Sequence, residues 1–314
     1  MRCRFPRLLN SSRISLALIL CLMCLRSAAE PMTLMIRGHV VQQSLFSLFA
    51  RPGEKLRVEV LRPQSPDVRL LLDGRPYGKR EGQSWIIAAP PRAGFYRLRL
   101  SGSPPLEATD LNLFVGSDSK NVVDGLLNGY RIGPAPPGHQ KYPAFYQAPQ
   151  VFFEVTPDNV DTQLSPHFTL RQFLCKQEAN YPKYVALKES LLVMLEGLVH
   201  EVRQAGFPVE TFGVISGYRT PWYNKQIGNV PNSRHVYGDA MDFFVDVDKD
   251  GNMDDLNGDG QRNAADVDLL YNIVQKFKSR RHNGLLVGGV GRYYRAPHHG
   301  GFVHVDARGF RARW

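Results

Sequence analysis

Ser233-Arg234-His235-Val236-Tyr237-Gly238-Asp239-Ala240-Met241-Asp242 sets an imidazole and a carboxylate seven residues apart. On a single helix these two side chains would share a face yet stand roughly 10 Å apart, too far for one ion with bonds near 2 Å. The stretch therefore reads as a turn running into a strand. Gly238 supplies the bend, and the alternation of Ala240 with Asp242 suits a strand that buries one side. A third ligand is available in the strand-like Phe302-Val303-His304-Val305-Asp306. Two histidines and one carboxylate leave the fourth position of a tetrahedral ion to water, the arrangement a hydrolytic zinc requires. Singly, each of these residues also has an ordinary structural use as a hydrogen-bonded histidine or a capping aspartate.

Working outward, Thr169-Leu170-Arg171-Gln172 has the form of a capping box. After Pro182, Leu187, Leu191, Leu195, Leu198 and Val202 recur at helical spacing until Gly206 ends the run. Phe212 to Ser216 reads as a buried strand, and further strand-like pieces stand at Leu285-Leu286-Val287 and at Phe302 to Val305. Helices first and sheet later give an α+β domain over 165–314. Cys175, in Phe173-Leu174-Cys175, reads as a small buried hydrophobe.

With 314 residues and 43% hydrophobic content the chain suffices for two compact domains. From residue 30 to 117, runs such as Leu56 to Leu61 and Tyr96 to Leu100 alternate with turn clusters such as Asp73-Gly74 and Pro90-Pro91, the pattern of an all-β, sandwich-like domain. Residues 118–164 are rich in Gly, Pro and Tyr and read as a linker that packs partly on the next domain. In residues 1–29, four arginines precede an apolar run from Ile14 to Leu25 and the small residues Ser27, Ala28 and Ala29, the pattern of a cleaved secretory signal peptide. That run is too short for a stable membrane span. Removing the segment takes the balance from 39 basic against 29 acidic residues to 34 against 29. Such mild positive charge suits an anionic cell wall and gives no reason to expect nucleic acid. The expected location is the periplasm or cell envelope of a bacterium.

Residues 246–268 form an acidic insertion just after Asp242. Within it Asp255, Asn257, Asp259, Gln261, Asn263 and Asp266 follow the oxygen-ligand rhythm of a calcium loop, with Gly260 at the sharp turn. Asp266 takes the place of the usual Glu, as in dockerin loops, and the run from Asp246 to Asp254 repeats the start of the rhythm. A helix pattern follows through Val267, Leu270, Tyr271, Val274 and Phe277. The plain alternative is a solvated acidic loop.

Taken together and in this order, Ser216-Gly217-Tyr218-Arg219-Thr220-Pro221, Ser233-x-His235-x-x-Gly238-x-Ala240-x-Asp242, and Gly288-Gly289-Val290-Gly291 leading to Phe302 through Asp306 resemble the M15-type zinc D-Ala-D-Ala metallopeptidases. The resemblance is greatest to the branch that trims or opens peptidoglycan cross-links. It implies a small antiparallel sheet with flanking helices, hedgehog or D-Ala-D-Ala peptidase-like, with zinc on His235, Asp242 and His304 and stem peptides of peptidoglycan as substrate. It also implies that Arg219 holds a substrate carboxylate or carbonyl, a task its planar fork suits, with Tyr218 and Ser233 as further substrate contacts. Many relatives carry an acid three positions before the last ligand and a histidine two before it, where this chain has Gly301 and Phe302. Asp306 is then the expected general base, since residues two apart on a strand share a side, and His299 is the alternate. Asp306 would serve equally as a residue that orients a ligand. The missing acid also motivates a rival reading, a wall-binding protein that keeps the metal but not the turnover.

Overall fold

The computed structural model describes residues 31–104, 106–280 and 286–314. The expected signal segment lies outside them, as does Leu285. Among the described residues the chain is rich in sheet and has three α-helices, which fits the α+β class.

Two five-stranded sheets occupy the N-terminal part. One runs in the order His39–Val41, Thr33–Ile36, Lys55–Arg62, Ser84–Ala88, Lys79–Glu81. The other runs Leu45–Ala50, Thr109–Val115, Gly94–Ser101, Arg69–Leu72, Arg75–Pro76. In Lys55–Arg62, Leu56, Val58 and Val60 are buried while Lys55 and Arg57 are exposed, the alternation a half-buried strand must show. Asp73 and Gly74 both take positive φ, 48° and 78°, which a two-residue hairpin turn demands and which Asp and Gly tolerate. These sheets share one hydrophobic core with the rest of the chain.

The Gly/Pro/Tyr-rich segment is more regular than its composition suggests. Val151–Val155 pairs with Lys183–Val185 and with Ser117–Asp118 in a three-stranded sheet. The run is buried at Phe152, Phe153 and Val155, so it shows neither a clean period of two nor a helical one.

Beyond it, Thr169 N donates to Gln172 Oε1 at 2.9 Å, and the expected capping box opens a single 3-10 turn, Leu170–Phe173. Helix α1 is Glu189–Gln204, and Gly206 just past it has φ of 103°. Short helix α2, Pro221–Gln226, has Thr220 as its N-cap. Helix α3 is Ala264–Ser279.

The last sheet has the order Gly213–Ser216, Ala240–Phe244, Phe302–Asp306, Gly289–Tyr293, Ala312–Arg313. Its first four strands are antiparallel neighbours. The strand expected at Leu285–Val287 begins instead at Gly289. Register sorts this sheet into two sides. Asp242 lies opposite both Ser216 and His304, and Gly291 lies opposite His304. Asp242, His304 and Gly291 therefore share one side, while Met241, Phe243, Val303, Val305 and Val290 share the other. Arg292, on that second side, meets Asp268 of α3 at 2.9 Å, so the helices cover it and the polar residues gather on the reverse.

Candidate metal centre

His235 sits in a 3-10 turn, Arg234–Tyr237, that Gly238 closes in the left-handed conformation at φ of 74°. A Cβ at residue 238 would come within 2.3 Å of the Ala186 carbonyl oxygen, so glycine is required there by space as well as by backbone angle. Arg234 beneath the turn is buried and ion-paired with buried Asp239. Its guanidinium also donates to the Phe145 carbonyl at 2.7 Å and lies over the Tyr146 and Tyr237 rings. The next strand carries Asp242 to a point beside His304.

The three side chains converge. His304 Nδ1 lies 2.8 Å from Asp242 Oδ1, and His235 Nε2 lies 3.2 Å from both His304 Nδ1 and Asp242 Oδ1. All three residues are buried. Their outer contacts fix the tautomers: His235 Nδ1 faces the Gly217 carbonyl oxygen at 2.6 Å, and His304 Nε2 faces Asp306 Oδ2 at 3.0 Å. Both partners only accept, so each of these nitrogens bears the proton, and in the neutral rings the two inward nitrogens present lone pairs. Two lone pairs and a carboxylate oxygen facing one another need a cation or an extra proton between them. A donor set of two imidazoles and one carboxylate, with each outer nitrogen held, is one that zinc accepts. The described residues thus fit the ion.

The electrostatics follow the same geometry. Burial alone would raise the Asp242 carboxyl, but the two imidazoles hold it well below the usual carboxylate range. Burial pushes the His235 imidazole down, although Asp242 opposes this. For His304 burial is outweighed by hydrogen bonds to Asp242 and Asp306, and its pKa rises.

Several expected roles change. Asp306 is on the far side of the His304 ring from Asp242. Its Oδ1 accepts from Gly289 N at 2.8 Å and from Arg308 Nε at 2.8 Å, while Oδ2 accepts from His304 and from Arg308 Nη2 at 2.5 Å. Burial would raise this carboxyl, but His304 and Arg308 keep it well below the ordinary value. Fully buried and fully engaged, it orients His304 and is not placed as a general base. His299 is half-buried in the loop before the His304 strand, with Nδ1 at 2.8 Å from the Gly300 oxygen and its ring edge-on to Phe302. It lines a depression with Arg262 and Asn263 rather than the triad.

Arg219 donates from Nη2 to Asp242 Oδ2 at 2.6 Å and from Nε to Ser216 Oγ at 2.8 Å. Its first partner is therefore the ligand carboxylate, and Nη1 is the part of the fork left over. Tyr218 is 1% exposed, its phenol without a hydrogen-bond partner among the described residues, and burial pushes its pKa well up. It belongs to the core, and a substrate contact there is corrected. Ser233 stands at the N-cap of the His235 turn, partly exposed, without a capping bond from its side chain. Cys175 is a free, buried thiol whose pKa burial raises.

The acidic insertion is also rearranged. Asp266, expected to ligate calcium, spends Oδ1 on the N–H groups of Leu256 and Asn257 and Oδ2 on that of Asn263, as the capping box of α3. Asp255 and Asp259 accept from backbone N–H groups of the loop, Asp259 and Asn257 are joined by a side-chain hydrogen bond, Asn263 caps α3, and Gln261 is exposed. The carboxylates that do approach one another, within 4.8 Å, are those of Asp246, Asp248 and Asp254.

Sequence reasoning missed Tyr293, Trp314 and Arg308. Trp314 lies with its ring 5.2 Å from that of His304, under the Arg308 guanidinium, and its Nε1 donates to the Tyr293 hydroxyl at 2.7 Å. The signal was present in Gly289 and Gly291: a Cβ at residue 291 would come within 2.3 Å of Trp314 Nε1, and one at 289 within 2.9 Å of its ring.

No curated protein matches the chain. A solved structure of the titin M3 domain is similar over 27% of this chain and 97% of that one, at 11% identity and a TM-score of 0.18, too slight to bear on the fold. Residues 166–258 match the Peptidase M15 family, and they include the His235 turn and Asp242. Over that segment the chain is similar to M15-type peptidases.

Proposed function

We propose that the protein is a secreted zinc peptidase that hydrolyses peptide bonds in the stem peptides or cross-links of peptidoglycan. The observation that carries this reading is the convergence of His235 Nε2, Asp242 Oδ1 and His304 Nδ1 on one point. Zinc bound there would lower the pKa of a water and polarise the scissile carbonyl. The chain's own residues do the rest. Gly217 and Asp306 hold the outer nitrogens of the two imidazoles, so the ligands arrive with their lone pairs already turned inward. Arg219 pins the outer oxygen of Asp242 and offers Nη1 to a carboxylate or carbonyl of the substrate. Export is supported by the pattern of residues 1–29, and among the described residues no helix is long and apolar enough to cross a membrane. The two N-terminal sheets with their joint core support a β-sandwich, and a five-stranded sheet with helices on one side supports a D-Ala-D-Ala peptidase-like fold for residues 165–314.

Zinc-loaded protein incubated with purified muropeptides tests the proposal, with His304→Ala as control. Loss of a D-alanine marks a carboxypeptidase, and a split cross-link an endopeptidase. One observation favours a second reading: with Gly301 in the sequence and Asp306 turned away, no carboxylate among the described residues is placed as base beside the triad. Intact muropeptide beside full zinc occupancy would select that reading, a wall-binding protein that retains the metal.

A further inference from the structure

The strand Gly289–Tyr293 brings a phenol to the triad. In its register Gly291 stands opposite His304 and Tyr293 opposite Phe302, so Tyr293 is on the ligand side of the sheet. Its ring is stacked on Phe302, centroids 4.7 Å apart and planes at 10°, which fixes its direction. The other end is held by Trp314, whose indole lies against His304. Indole N–H can only donate, so in the 2.7 Å contact the Tyr293 oxygen accepts. The phenolic proton is thereby turned elsewhere, and no acceptor among the described residues takes it. Tyr293 is 37% exposed, and the charges of Asp242 and Arg219 act on it. An oriented, unspent O–H donor thus stands on the ligand side of the sheet, partly exposed and joined to His304 through Trp314.

We infer that Tyr293 is a catalytic residue of the peptidase reaction, its O–H donating a hydrogen bond to the scissile carbonyl oxygen as that oxygen gains negative charge. The inference rests on the function proposed above. In the reaction the oxygen of water bonds to the carbonyl carbon and the C–N bond breaks with its electron pair leaving on nitrogen. Both water protons end on the departing amine, which leaves as an ammonium beside the new carboxylate. Tyr293 gives up no proton over the cycle; it stabilises charge that exists only between substrate and product. The pairing also gives Phe302 a use: it is the platform on which Tyr293 lies.

The test compares the full, zinc-loaded chain with Tyr293→Phe on a muropeptide that the parent cleaves. Losing one oxyanion donor lowers kcat about 10²-fold. KM stays within about threefold, because the bond forms only as charge develops. Affinity for a phosphinate analogue of the cleaved dipeptide falls by a factor like that in kcat, while zinc content is unchanged. Trp314→Phe keeps a ring and removes the indole donor, and lowers kcat by roughly 3–10-fold, the size of one ordinary hydrogen bond. A Tyr293→Phe protein that folds, holds zinc and turns over at the parental rate overturns the inference and leaves the peptidase reading standing. A parent that cleaves no muropeptide ends both. Should Tyr293→Phe fail to fold, Trp314→Phe decides, and a parental kcat for it counts against the inference.

Discussion

Asp306 shows how little a residue's type says about its task until its neighbours are known. With every oxygen occupied, it would act on a bound ion only through His304. Asp306→Asn keeps the shape but weakens the hold on His304 Nε2, and zinc affinity is expected to fall about 10–100-fold. Competition with a chelator measures this, and unchanged affinity would deny Asp306 its positioning role. Lys278 lies behind it, buried, its Nζ donating to the Asp306 backbone oxygen at 2.6 Å. Burial brings its pKa down to about 8, against the pull of Asp306. A lysine whose folded pKa lies below its unfolded value binds fewer protons when folded, so stability rises with pH between the two values. Below about pH 8 the parent carries the whole cost of the buried ammonium, on the order of 3 kcal/mol, and by about pH 10.5 it carries none. Stability relative to Lys278→Met, read from urea melts at pH 7 and pH 10, therefore shifts in favour of the parent at the higher pH.

At the scale of elements, glycines decide where side chains go. Gly238→Ala sets a Cβ against the Ala186 carbonyl in a backbone conformation that alanine resists, and should cost about 2 kcal/mol or more while displacing His235. Zinc stoichiometry and thermal unfolding would both register it. Gly291→Ala drives a methyl into Trp314 Nε1, and the expected result is a changed tryptophan emission with kcat reduced as in Trp314→Phe. Much of this scale was legible in advance. The turn at Gly238, the strand through Asp242, helix α1 and helix α3 follow from local spacing and capping residues. Val151–Val155 was not, because its buried residues fall on both sides of the strand and it sits in a segment rich in glycine, proline and tyrosine. Tyr293 and Trp314 escaped for another reason, since their meeting depends on cross-strand register between segments distant in sequence. Asp266 misled because an aspartate three residues into a helix serves a capping box as readily as it serves an ion.

Across the whole molecule, the N-terminal sheets are tied to the metal site by a short relay. Glu189 at the start of α1 accepts from Arg37 Nη1 at 2.6 Å and from Phe49 N at 3.0 Å. Next to it, Lys188 meets Asp239 at 3.0 Å, and Asp239 holds Arg234 beneath His235. Glu189→Ala leaves a buried N–H and a guanidinium short of a partner, for an expected loss of about 2–4 kcal/mol. Chemical denaturation measures it; a loss below about 0.5 kcal/mol would mean that the tie is ornamental.

The two-sided sheet has a consequence for how the chain tolerates change. Along Ala240–Phe244 and Phe302–Asp306 every residue is buried, so hydropathy makes these strands look uniform. Their parity says otherwise: odd positions answer to volume against the helices, while the even positions Asp242, His304 and Asp306 answer to charge and donor chemistry. A saturation scan scored separately for abundance and for turnover should trace a sawtooth, with Val303 and Val305 lowering the first and His304 the second.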